Sequence, residues 1–184
     1  MVTLTSLWLP IVLSAVFVFI VSSVIHMFLK YHKADFKKLP DEDGVRNAVG
    51  NFDIPEGNYI VPCPGPDESM SDKAFQEKVK SGPVFYLTVI SNDMSMGSNL
   101  IQWFVYCLVV GIFSAYIGVN AVGADGDYLD VFRFVGCAAF MGYALALVQN
   151  SIWSAKNWGA TLRSVFDGLI YALVTAGTFG WLWP

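Results

Sequence analysis

The chain has 184 residues, 55% of them apolar and only 14% charged, with a formal net charge of −4. Eight of the eleven Lys and Arg residues lie between Lys30 and Lys80, so the hydrophobic stretches are almost free of charge. Four windows, about 6–29, 99–122, 131–153 and 162–183, reach the roughly 18–25 residues needed to cross a bilayer as a helix. A soluble protein of this size hides one such helix, not four. The expected fold is an all-α membrane protein, a four-transmembrane-helix bundle with a small α/β insert between helices 1 and 2. The expected domains are 1–30 (first span), 31–98 (insert) and 99–184 (three further spans).

The first ten residues carry no basic side chain, so the charged region of a cleavable signal peptide is missing. Behind the first span come Lys30, Lys33, Lys37 and Lys38. The positive-inside rule assigns that flank to the cytoplasm and the N-terminus to the outside. The loop 123–130 has three acids and no Lys or Arg, as an outer loop should. Lys156 and Arg163 bring the chain back inside, and the C-terminus ends outside. Trp8, Trp181 and Trp183 then mark the outer boundary, and Trp103, Trp153 and Trp158 the inner one, where indoles prefer the half-polar zone.

Within the insert, Asp41–Val49 reads as a short helix stopped by Gly50. Asn58–Val61 is a short strand before the turn Pro62-Cys63-Pro64-Gly65-Pro66. Ser69 and Asp72 lead into a helix that runs to about Lys80, with Met70, Ala74, Phe75 and Val79 inward. Val84–Ile90 is the strongest strand pattern in the chain. Strand, helix, strand suggests a βαβ unit, parallel if the crossover allows, and too small to bury a stable core alone.

Five polar residues share one depth on the cytoplasmic side: His26, Gln102, Gln149, Asn150 and Asp167. An ionisable group in a span is a functional-site hypothesis, because lipid penalises it unless it is paired or wet. Asp167 beside His26 would make a proton relay or a polar pocket. The plainer reading is helix-joining hydrogen bonds, with Arg163, four residues before Asp167, available as an intrahelical ion-pair partner. Small residues spaced for close helix approach recur as Gly111/Ala115, Ala138/Gly142/Ala146 and Gly168/Ala172/Ala176/Gly180. Arg133 is expected to pair with Asp130 or reach headgroups.

Several motifs fail. Asp125, Asp127 and Asp130 resemble a calcium loop, but Gly136 stands where the closing Glu belongs. His26 and His32 are six apart, on different faces of one helix, and so would not share a metal. Cys63, Cys107 and Cys137 form no metal or disulfide pattern. No P-loop, GxSxG, HExxH or dinucleotide fingerprint occurs. No catalytic residue, metal or cofactor is expected. The basic run is interleaved with acids and reads as an anchor on anionic lipid, so nucleic acid is excluded as a partner. The expected partners are the bilayer and other membrane subunits or copies of the same chain.

Two stretches, SSVIHMFLKYHKADFKKLPDED and QNSIW…FDGLIYALVTAGTFGWLWP, together with the VPCPGP turn, resemble a group of bacterial inner-membrane proteins with four transmembrane helices and no assigned function. The resemblance runs over most of the chain and implies a bacterial inner-membrane setting. The expected role is a structural or accessory subunit, or an assembly partner, of a membrane complex. The alternatives are a small proton-coupled transporter or channel using Asp167 and His26, or an interfacial enzyme acting on lipid or quinone.

Overall fold

A computed structural model describes residues 2–93 and 95–184. Two compact units emerge, a bundle formed by 1–37 and 96–184 and an insert formed by Lys38–Ser95. Residues 31–37, expected in the insert, belong to the bundle.

The bundle is built from four apolar spans, Leu4–Phe28, Met96–Ala121, Tyr128–Trp153 and Trp158–Leu182, each long and apolar enough to cross a membrane. The protein is therefore a multi-pass membrane protein with an all-α four-helix bundle. Thr3 starts the first span with a reciprocal cap to Ser6, and a 3-10 turn over Leu4–Leu7 runs into α1 (Trp8–Phe28). The fourth span, α7 (Trp158–Leu182), begins four residues earlier than hydropathy suggests. The reason is Asn157, whose side chain accepts from the backbone N–H groups of Gly159 and Ala160 and so satisfies two otherwise orphaned donors.

The second span is the single helix α4 (Met96–Ala121), whereas the third is interrupted. It consists of α5 (Tyr128–Tyr143), a 3-10 turn over Leu145–Leu147 and the short α6 (Val148–Trp153). The break falls at Ala144 (φ −127°, ψ −48°), where the chain leaves helical geometry. Helices α1 and α4, α4 and α5, and α5 and α7 pack as sequence-adjacent spans, and α7 packs on α1 to close the four-helix ring.

Many small residues lie in its interior, with Ala15, Ala115, Ala139, Ala172 and Ala176 buried, while large apolar side chains such as Phe113 (66% exposed) and Ile101 (68% exposed) face outward. In water so many exposed large apolar side chains would be costly; in lipid they gain nothing by turning inward, and close backbone approach helps to hold the helices together. One buried cluster (Leu7, Ile11, Ala115, Val122, Val131, Val135, Phe179) joins the N-terminal end of α1 to the C-terminal end of α7. The other (Ala15, Val18, Ile25, Cys107, Val110, Ala139, Tyr143, Tyr171, Ala172) fills the half towards the end of α1.

The insert contains α2 (Glu42–Gly50), β1 (Gly57–Val61), α3 (Lys73–Ser81) and β2 (Phe85–Val89). Asp41 caps α2 by accepting from Gly44 N–H at 2.9 Å. Helix α3 ends at Gly82, whose positive φ of 56° is one that a Cβ would disfavour. The strands are antiparallel, with Val61 opposite Phe85 and Gly57 opposite Val89, so the parallel βαβ expectation is corrected. The excursion through α3 returns the chain to the end of β1 it had just left. A parallel partner would require it to travel back along the strand first. Met70 and Val79 are exposed rather than inward, and Phe75 is the buried anchor of α3.

Candidate functional site

The site lies where α1 stops. Helical geometry ends at Phe28, Leu29 is extended (φ −87°, ψ 120°), and a 3-10 helix over Lys30–Ala34 folds the chain back over the bundle. This bend brings His32 against His26, the two rings lying parallel with centroids 4.8 Å apart. The expectation that these histidines face apart assumed one continuous helix. The helix ends between them, so the assumption fails.

Asp167, on α7, is 3% exposed and carries two protein partners from that folded-back segment. The Tyr31 hydroxyl donates to Oδ1, and His32 Nε2 donates to Oδ2 at 2.7 Å. His32 Nδ1 donates in turn to Asp35 Oδ2 at 2.7 Å. Asp35 Oδ1 accepts from Arg163 Nε at 2.7 Å and lies 2.5 Å from its Nη2. Arg163, Asp35, His32, Asp167 and Tyr31 thus form one continuous network binding the segment after α1 to α7. The intrahelical Arg163–Asp167 pair is not formed. Arg163 is taken by Asp35, a residue that sequence spacing did not single out because it lies outside the spans.

With a carboxylate at each ring nitrogen, His32 retains a proton on both. Burial opposes its charge, but the hydrogen bonds to Asp35 and Asp167 prevail and hold the imidazole above its usual range. Burial opposes ionisation of Asp35 too, yet the hydrogen bonds from His32 and Arg163 hold its carboxyl below the usual range. The Tyr31 phenol is raised, first by burial and then by its hydrogen bond to Asp167.

His26, in the last turn of α1, is exposed, and its Nδ1 donates to the Ser22 carbonyl at 2.9 Å. The remaining members of the expected layer stay apart from Asp167. Gln102 is exposed and donates to Ser98 Oγ at 3.1 Å. Gln149 and Asn150 are exposed on α6, and their side chains make no hydrogen bond among the described residues. The polar layer contributes His26 and Asp167 to the site; Tyr31 and Asp35 are the members that sequence reasoning missed, while Arg163 was given the wrong partner and His32 was set apart from His26. The available signal was the dense Tyr31/His32/Asp35 group directly behind a span.

The small-residue ladders divide similarly. A Cβ on Gly168 would meet the Ala144 Cβ at 2.7 Å and the Tyr143 carbonyl oxygen at 3.0 Å, so α7 passes the break in the third span too closely for a methyl group to fit unshifted. Ala115, Ala138, Ala172 and Ala176 are buried. Gly111 faces Ile11, Gly142 faces Val110 and Gly180 faces the Tyr128 ring. Ala146 is exposed in the 3-10 turn. Arg133 pairs with Asp130 at 3.3 Å.

Beside the network, Tyr31, Gly159, Leu162, Arg163 and Phe166 line a cleft of about 410 Å³. Behind it, Trp103, Tyr143 and Tyr171 form a layer of rings with centroids 5.7–6.2 Å apart. The Trp103 indole N–H donates to Ser22 Oγ at 2.8 Å, bridging α4 and α1. Protein-family models, curated proteins and solved structures were all compared with the chain, and none matches it.

Proposed function

We propose that this is a non-enzymatic accessory membrane protein, a structural subunit or assembly partner of a larger complex. It is seated in a bacterial inner membrane with both termini outside and residues 31–98 in the cytoplasm. The observation that carries the reading is the pair of exposed amides, Gln149 and Asn150, within the third span and without a side-chain partner among the described residues. Both lie in the last turn before Trp153, at the inner boundary, where a neighbouring helix offers carbonyls and side chains in place of headgroups and water. The charge network supports the same reading over proton-coupled transport. Both Asp167 oxygens are engaged, so the network serves as a fastening between α7 and the chain after α1.

The orientation rests on the Lys30–Lys38 run against the lysine- and arginine-free 123–130 loop. Mild detergent extraction followed by light-scattering mass measurement tests the assembly. The expected particle contains more than one chain or a co-purifying membrane protein, and it dissociates in the Gln149→Leu/Asn150→Leu double variant. A wild-type monomer free of other chains would overturn the proposal.

A further inference from the structure

We propose that His26, His32 and Asp167 bind one divalent first-row transition-metal ion of the zinc or iron(II) kind, at the end of the first span. One ring nitrogen of each histidine and a carboxylate oxygen of Asp167 all lie within 4.8 Å of one another. The inference goes beyond the accessory role and stands whether or not the protein works inside a complex.

The donor set and its surroundings both favour such an ion. Two imidazoles and one carboxylate suit zinc, iron or cobalt rather than magnesium or calcium, which take all-oxygen shells. Metal-bound histidines commonly donate their second N–H to a carboxylate or a backbone carbonyl, which fixes the tautomer. Both histidines here have that support. His32 Nδ1 faces Asp35, itself held by Arg163, and His26 Nδ1 faces the Ser22 carbonyl. Each ring therefore offers Nε2 as the ligand. Asp35 also keeps the Arg163 guanidinium off Asp167.

Binding replaces the proton between His32 Nε2 and Asp167 Oδ2, now 2.7 Å apart, and that proton leaves to solvent. The two donors then part to about 3.3 Å, the separation that metal–ligand bonds of about 2.0–2.1 Å impose at tetrahedral angles. A metal lies in the plane of each imidazole it binds, so the His26 ring must turn out of its stack on His32. His26 is exposed and has the room. Three protein donors leave a fourth position for water or an external ligand.

Full-length protein in detergent, stripped with a chelator, is titrated with Co2+ and followed by its visible d–d absorption. The expectation is one equivalent bound, undisturbed by a large excess of Mg2+. His26→Ala should weaken binding by more than about 10-fold, because losing a ligand exceeds the loss of a supporting contact, which alone is worth about 10-fold or more. Since His26 is exposed, that variant should unfold at the wild-type temperature when no metal is added, which keeps the test valid even if Asp167→Asn fails to fold. Absence of Co2+ uptake, displacement by Mg2+, or a change below about 10-fold in His26→Ala would each overturn the proposal.

Discussion

Gly168 shows how one hydrogen atom in place of a methyl group determines what a helix can pass. Its neighbours are the Ala144 Cβ at 2.7 Å and a backbone oxygen at 3.0 Å, and neither is the free end of a flexible chain. Gly168→Ala is expected to destabilise the bundle by about 1–3 kcal/mol, the usual range for overpacking. Gly180→Ala would meet the ring of Tyr128, which is half exposed and can move, so its effect should be smaller. Thermal unfolding of both variants in detergent checks the ordering; equal midpoints would contradict it. The Arg163–Asp35 pair is the second test at this scale. Its guanidinium reaches one carboxylate oxygen through two nitrogens at 2.5 and 2.7 Å, on side chains 29% and 13% exposed. A double-mutant cycle of Arg163→Ala and Asp35→Ala should give a coupling of about 1–3 kcal/mol. A value near zero would show that the pair behaves like an ordinary surface ion pair.

The elements differ in what holds them. Helix α7 is fixed along its length by α1 and α5 and capped by Asn157, whereas the insert rests on a two-stranded ribbon and one buried phenylalanine. A pair of strands is marginal by itself, and its turns therefore depend on side chains. Glu68 is one of these. The Gly65 backbone N–H donates to its Oε2 at 3.1 Å, and Lys78 on α3 lies 3.1 Å from Oε1. These contacts, the backbone one first, hold the carboxyl below its ordinary range against a small opposing desolvation. A lowered carboxyl favours the folded turn above the ordinary glutamate pKa, and that contribution disappears as pH falls through the folded-state value. An NMR titration of the Glu68 carboxyl should give a midpoint below the ordinary one, moving upward in Lys78→Met. An ordinary midpoint in the wild type would contradict the assignment.

For the bundle, the defining property is its apolar exterior: large side chains such as Phe113, Ile101 and Trp181 are exposed, while alanines lie between the helices beside a few larger residues such as Phe179 and Leu7. Such a bundle needs lipid, and its threading then governs which residues meet the cytoplasm. Cys63 offers a native probe, because it is exposed in the insert while Cys107 is buried and Cys137 lies within the third span. In a Cys107→Ser/Cys137→Ser background, a membrane-impermeant maleimide should leave Cys63 unlabelled in intact spheroplasts and label it after permeabilisation. Labelling before permeabilisation would invert the orientation.

The four spans and the all-α class were legible without coordinates, since length and hydropathy are properties of each segment alone and the bilayer imposes the same requirement on every helix. Asn157 extended α7 and Ala144 interrupted the third span, but neither altered the number of crossings. The antiparallel strand pairing was not legible, because five-residue strands pair either way and only the path through α3 selects one. The site lay between these extremes. Asp167 and His26 were conspicuous as polar residues in apolar helices. Their partners Tyr31, His32, Asp35 and Arg163 depended on where α1 ends, and a helix end is set by contacts the following segment makes with α7. Hydropathy is additive along a chain, and it accounted for the membrane. Proximity between residues more than a hundred positions apart is not additive, and it arose only when the chain behind α1 folded back onto the bundle.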